Sequence, residues 1–172
     1  MGGGDPPAGS PFPSKERLSR IRLIATDVDG TLTDGRLEVD ASGGISKAFH
    51  VRDGYGGVLL LAAGLRIAIL SGRDDPATKA RVADLGWETI SLGEREKAQA
   101  LFAFCGREGI GQDEVLYLGD DLNDVGSLAW AGVGCAVGDA DATAKEAAGW
   151  VLGSKGGEGA LREVADALLE SR

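Results

Sequence analysis

The chain has 172 residues, of which 43% are hydrophobic and 26% charged, and a formal charge of −9. That composition suits one ordinary globular domain with an adequate core, and the acid excess argues against nucleic acid or an anionic membrane as partner. A negative protein that handles phosphate must bring local positive charge, as a metal ion or as a few placed Lys and Arg residues.

The first 14 residues, MGGGDPPAGSPFPS, are rich in Gly and Pro and lack the charged and apolar stretches of a signal peptide. Residues 1–17 therefore read as a disordered tail or linker, and the folded domain is expected over 18–172. Residues 21–26 (IRLIAT) read as a buried strand. Directly after them come Asp27-Val28-Asp29-Gly30-Thr31, two carboxylates two residues apart at a strand end, with a glycine that permits a sharp turn. D-x-D-G also occurs in calcium loops, and Glu38 stands at the twelfth position; the preceding buried strand and the lack of an entering helix argue against that reading. Residues 36–50 hold two short extended runs around a turn at 40–44, a β-hairpin flap after the first strand.

A helical pattern follows over 53–63, then a strand over 66–70 closed by Ser71-Gly72-Arg73. A helix over 75–85 and a weaker strand over 89–92 lead to a helix over 95–108. Lys97 sits at its start, where an ammonium and free N–H groups can hold an anion. The strand over 115–118 runs into Gly119-Asp120-Asp121-Leu122-Asn123-Asp124, whose hard carboxylate oxygens suit Mg²⁺. A helix over 122–131, weaker strands over 133–137 and 150–152, a helix over 142–148 and an amphipathic helix over 159–169 complete the chain. Strands alternating with helices imply an α/β, Rossmann-like parallel sheet covered on both faces, with its ligand site at the carboxyl ends of the strands. No apolar run is long enough to cross a bilayer. Cys105 and Cys135 form no C-x-x-C pair; as buried reduced thiols they fit a cytoplasmic protein.

Each motif has a plainer reading: Ser71 as a helix cap, Lys97 as a surface lysine, GDDLND as an acidic turn. Taken in order, DVDGT, SGR, Lys97 and GDDLND resemble the haloacid-dehalogenase phosphatase superfamily. The resemblance implies that Asp27 is the nucleophile and forms an aspartyl phosphate. It makes Asp29 the general acid and then the base, and has Ser71 and Lys97 hold the phosphoryl oxygens. Mg²⁺ would be held by Asp27, the Asp29 backbone carbonyl and Asp120, with Asp124 or Asp121 in support. A free Asp is ionised at neutral pH, so an acid here needs neighbouring carboxylates or bound phosphate to hold its proton. A two-component receiver domain uses similar parts, but there the acidic pair comes first, whereas here GDDLND comes last.

The gaps from Asp27 to Ser71 and from Ser71 to Lys97 are too short for a cap domain. The site is expected to be open unless a local flap, or the hairpins and tails of a homo-oligomer, cover it. The stretches KAFHVRDGYG (47–56) and GGEGALRE (156–163), with this capless layout, resemble 3-deoxy-D-manno-octulosonate 8-phosphate phosphatases over about residues 18–170. That family forms tetramers in which tails approach neighbouring sites. The resemblance implies a substrate pocket lined by Asp29, His50, Arg52, Asp53, Gly54, Arg73, Arg81 and Lys97. Arg suits planar anions, and Arg73 and Arg81, eight apart, are expected on one helix face. His50 stands where the family usually has Asn, and Val58 where it often has Arg. A branch acting on nine-carbon sialic-type sugar phosphates tends to lack the equivalents of Arg52 and Arg73, so these two favour the octulosonate branch. Similar domains also follow acylneuraminate cytidylyltransferases. A broad-specificity phosphatase is a further reading. A non-enzymatic oligomerising domain is another, against which stand the intact Asp27, Asp29, Lys97 and Asp120.

Overall fold

The computed structural model describes residues 12–172; most of the tail expected over residues 1–17 lies outside them. The described chain opens with a five-residue helix α1 (Lys15–Ser19), capped by the Ser14 side chain. Helix α1 takes in residues 15–17 of the expected tail, and no apolar repeat announces it in the sequence.

Strand β1 (Leu23–Thr26) is buried along its whole length, as its unbroken apolar run requires. Ile21 is also fully buried but precedes the strand. β1 leads into the acidic loop and then the hairpin β2 (Glu38–Val39) and β3 (Ile45–Ser46), paired antiparallel. Helix α2 (Val51–Ala62) starts under its His50 cap, where the ring Nδ1 accepts from the Arg52 N–H at 3.1 Å. Next come β4 (Arg66–Ser71), α3 (Pro76–Leu85), β5 (Glu88–Leu92), α4 (Lys97–Glu108) and β6 (Val115–Gly119). The remainder is α5 (Val125–Trp130), β7 (Val133–Ala136), α6 (Ala142–Ala147), β8 (Trp150–Val151) and α7 (Ala160–Glu170).

The six long-sheet strands are all parallel, in the order β5-β4-β1-β6-β7-β8. Strand order reverses beside β1, where open α/β sheets place their ligands. Helix α2 packs on α7 and α3, and α5 packs on α4 and α6. Right-handed crossovers put these two groups on opposite faces of the sheet. Between Asp27 and Ser71 lie only the hairpin and α2, and between Ser71 and Lys97 only α3 and β5, so neither gap holds a cap.

Two expected elements differ. The helix expected over 122–131 is a 3₁₀ turn, Leu122–Asp124, followed by α5. The Asp124 carboxylate accepts the N–H groups of Asp120 and Asp121 at 3.0 and 3.2 Å, which holds this turn tighter than an α-helix. Helix α3 begins only at Pro76, capped by Asp75, because proline fixes the first helical turn and restricts the residue before it. Arg73 therefore precedes α3 and does not share a helix face with Arg81.

The core sits along β1, β4 and β6. Leu116 on β6 is fully buried beside Ile24 of β1. Leu116→Ala is expected to lower unfolding free energy by about 2–5 kcal/mol, read from urea denaturation; a loss under about 1 kcal/mol would contradict this packing.

Candidate active site

Asp27 is the first residue beyond β1, and its N–H donates to the Leu118 carbonyl of β6 at 2.9 Å. The acidic loop is thus tied to the neighbouring strand as it leaves the sheet. Gly30 turns the loop at φ +92°, and a Cβ there would collide with the Asp120 carboxylate. Thr31 Oγ1 donates to Asp120 Oδ1 at 2.9 Å, so the loops after β1 and β6 grip one another.

Lys97, first residue of α4, has its ammonium fully buried between two carboxylates. Nζ lies 2.7 Å from Asp27 Oδ1 and 2.8 Å from Asp124 Oδ1. Helix α4 has no side-chain N-cap, so its first N–H groups are not claimed by one. Tyr117 of β6, also buried, donates its hydroxyl to Asp124 Oδ1 at 2.6 Å. Asp124 thus accepts from an ammonium, a phenol and two backbone amides, which fixes its orientation.

The electrostatics follow from burial. Burial pushes the Asp27 carboxyl well above the usual carboxylate range; Asp124 and Asp120 add to this and Lys97 opposes it. Asp120 is pushed up to about 6 by burial, aided by Asp124 and opposed by the Thr31 hydrogen bond. Burial works against the Lys97 ammonium, yet Asp27 and Asp124 raise its pKa above the ordinary value. Burial, with Asp124 and Asp27, likewise holds the Tyr117 phenol well above its ordinary value.

Asp27, Asp120 and Asp124 each offer an oxygen, and the three atoms lie within 4.8 Å of one another. One ammonium among three carboxylates leaves net negative charge. Hard oxygens so arranged fit a divalent cation such as Mg²⁺.

An open cleft in front of this cluster is lined by Asp27, Asp29, Gly72, Arg73, Asp121 and Asn123. Ser71, buried at the end of β4, accepts the Arg73 N–H at 3.2 Å. Asp29 faces two cations rather than further carboxylates: Lys47 Nζ lies 2.7 Å from Oδ1, and Arg73 Nε 3.5 Å from Oδ2.

The remaining expected substrate residues gather elsewhere. His50, Asp53, Gly54 and Arg81 line a separate small depression with Leu32, Phe49 and Trp87. There Arg81 pairs with Asp84 at 3.1 Å and lies over the Phe49 ring. Asp53 Oδ1 accepts the Arg162 N–H of α7 at 2.9 Å. Arg52 is exposed. Reading the sequence missed Lys47, Thr31, Tyr117 and Asn123. Thr31, Lys47 and Asn123 all lay inside noted stretches, DVDGT, KAFHVRDGYG and GDDLND, but nothing in the sequence marked Lys47 as buried.

A model for haloacid dehalogenase-like hydrolases matches residues 74–164. The 3-deoxy-D-manno-octulosonate 8-phosphate phosphatase of Haemophilus influenzae is 42% identical, over 92% of this chain and 88% of that protein. The chain belongs to the haloacid dehalogenase-like hydrolases. The Moraxella catarrhalis 3-deoxy-D-manno-octulosonate 8-phosphate phosphatase, solved with magnesium, phosphate and KDO, superposes with a TM-score of 0.89. It is 32% identical, over 92% of this chain and 91% of that one. The cobalt-bound H. influenzae phosphatase gives 0.86 at 43% identity, over 90% and 91%. As a member of this family the chain is a phosphatase with the capless fold of these relatives.

Because Asp120 keeps its proton to about pH 6 when folded, against about 4 for a free Asp, the native state binds more protons between these values. The stability tied to this group is therefore full below about pH 4 and falls as pH rises through 6. Without added cation, Asp120→Asn is expected to melt above the wild type at pH 7 and level with it at pH 4, by thermal circular dichroism. The opposite order at pH 7 would refute the repulsion.

Proposed function

We propose that the chain hydrolyses 3-deoxy-D-manno-octulosonate 8-phosphate through a phosphorylated Asp27. The observation that carries this reading is the buried Lys97 clamp on Asp27 and Asp124 at the strand-order reversal, in a chain 42% identical to such a phosphatase.

The chemistry divides into two displacements. An Asp27 oxygen attacks phosphorus, the bond from phosphorus to the sugar oxygen breaks, and Asp29 gives that oxygen its proton. A water then attacks the aspartyl phosphate, Asp29 takes the water's proton, and inorganic phosphate leaves with Asp27 restored. Lys97 and the Ser71 hydroxyl serve the phosphoryl oxygens. Asp27, the Asp29 carbonyl, Asp120 and Asp124 would hold Mg²⁺, which would supply neutralising charge to the phosphoryl group. Arg73, half-exposed at the cleft, suits the substrate carboxylate. His50, Arg52, Asp53, Gly54 and Arg81 remain candidates for the sugar.

The same reading puts the site in a homo-oligomer, a tetramer as the family resemblance implies. Val51, Tyr55 and Val58, spaced to share one face of α2, are 80%, 56% and 47% exposed, an apolar face suited to a second copy. The free, buried cysteines Cys105 and Cys135 support a cytoplasmic setting. No described helix is long and apolar enough to cross a membrane.

With Mg²⁺, kcat/KM for 3-deoxy-D-manno-octulosonate 8-phosphate is expected to exceed that for glucose 6-phosphate by roughly 100-fold or more, and to vanish in chelator. Equal rates on the two esters would defeat the narrow assignment. Asp27→Asn should abolish turnover while keeping the wild-type circular dichroism spectrum, and normal turnover would remove Asp27 as nucleophile.

A further inference from the structure

Lys47 lies on the arm leaving the hairpin, between the exposed Ser46 and Ala48, yet none of its side chain is exposed. Its ammonium reaches three oxygens: Asp29 Oδ1 at 2.7 Å, Asp75 Oδ2 at 2.6 Å and Thr78 Oγ1 at 3.1 Å. The contacts to Asp75 and Thr78 are hydrogen bonds, whereas Asp29 Oδ1 is held by charge alone, as an ion pair at 2.7 Å with no hydrogen-bond partner. Burying a lysine and freezing its four rotors is costly, so this placement demands a reason.

Two of the three contacts are already fixed to α3. Asp75 caps the helix through Oδ1, which accepts the Thr78 N–H at 2.9 Å. Its Oδ2 also accepts from the Thr78 hydroxyl at 3.0 Å. The ammonium therefore has a position set by the start of α3, independent of the acidic loop. Against that fixed post stands Asp29. Its Oδ1 is buried, while the side chain as a whole is 24% exposed. The exposure thus falls away from Oδ1, on the side where Oδ2 faces Arg73 at the cleft.

We propose that Lys47 is a positioning residue for the reaction, an inference that rests on the role given to Asp29 above. By holding Oδ1 on the protein side it presents Oδ2 to the leaving group, so that one oxygen of Asp29 carries the proton. The alternative is a tether that only pins the hairpin to α3. The two differ in how a loss depends on the leaving group. A sugar alkoxide needs a proton as it departs, and p-nitrophenolate does not. An error in aiming the acid slows only the first, and kcat/KM covers binding and the first phosphoryl transfer without the later hydrolysis of the aspartyl phosphate.

The test compares wild type with the double substitution Lys47→Met/Asp75→Asn, which removes the buried Asp75 charge along with Lys47, keeps a capping side chain and leaves Asp29 with Arg73 as its remaining cation. In the presence of Mg²⁺, kcat/KM is expected to fall roughly 100-fold on 3-deoxy-D-manno-octulosonate 8-phosphate, the low end of what a placed acid contributes. On p-nitrophenyl phosphate it is expected to fall by only about 3-fold. Equal losses on both esters, or no loss on either, would overturn the proposal. If the double variant does not fold, Lys47→Arg replaces it: a larger loss on the sugar ester supports the proposal, and equal losses or none overturn it. A wild type active on p-nitrophenyl phosphate but not on the sugar acid would sink the substrate assignment alone. Phenyl phosphate, whose leaving group also needs a proton, then takes the sugar ester's place. A wild type active on neither would sink the phosphatase reading itself.

Discussion

A single ammonium, that of Lys97, sits out of water between two carboxylates that come from two different strand ends. Each of these charges alone would be expensive to bury. Together they are tolerable only if all three groups arrive in register. Asp27 comes from β1, Asp124 from the turn after β6 and Lys97 from the first residue of α4. The sheet order that places β1 next to β6 is therefore also what makes the buried charges tolerable. Asp120, the third carboxylate, is not cancelled by Lys97, and the cluster stays negative enough to attract a cation.

Much of this was legible in the sequence because parallel sheets write themselves plainly. β1, β4 and β6 are buried on both faces and read as unbroken apolar runs. A polar motif just after such a run must lie at a strand's carboxyl end. Asp27, Ser71 and Asp120 are all of this kind. Lys97 was visible through its place at a helix start. The hairpin was visible through its turn residues, with Asp40 accepting from Ser42 and Gly44 across the bend.

What stayed hidden was whatever depends on the third dimension. Lys47 looks like any charged residue in an exposed arm, and its burial is decided by Asp75, 28 residues away. Tyr117 alternates with leucines in an apolar strand and reads as core, which it also is. Asp53 belongs to a recognisable stretch, yet its observed partner is the backbone of α7. Helix boundaries misled where a side chain overrode the periodic pattern, as Asp124 does in tightening the turn before α5.

The loop before α7 has a part in this as well. The Gly157 N–H donates to the Thr31 carbonyl at 3.0 Å, and a side chain at Gly156 would strike the Gly30 carbonyl. A few residues on, Arg162 donates to Asp53 across 109 positions of chain. The acidic loop near the beginning is thus propped from below by a segment near the end. Contacts of such long span form against the greatest loss of chain entropy. The shape of the catalytic loop accordingly depends on the far end of the chain, and no local segment defines it alone.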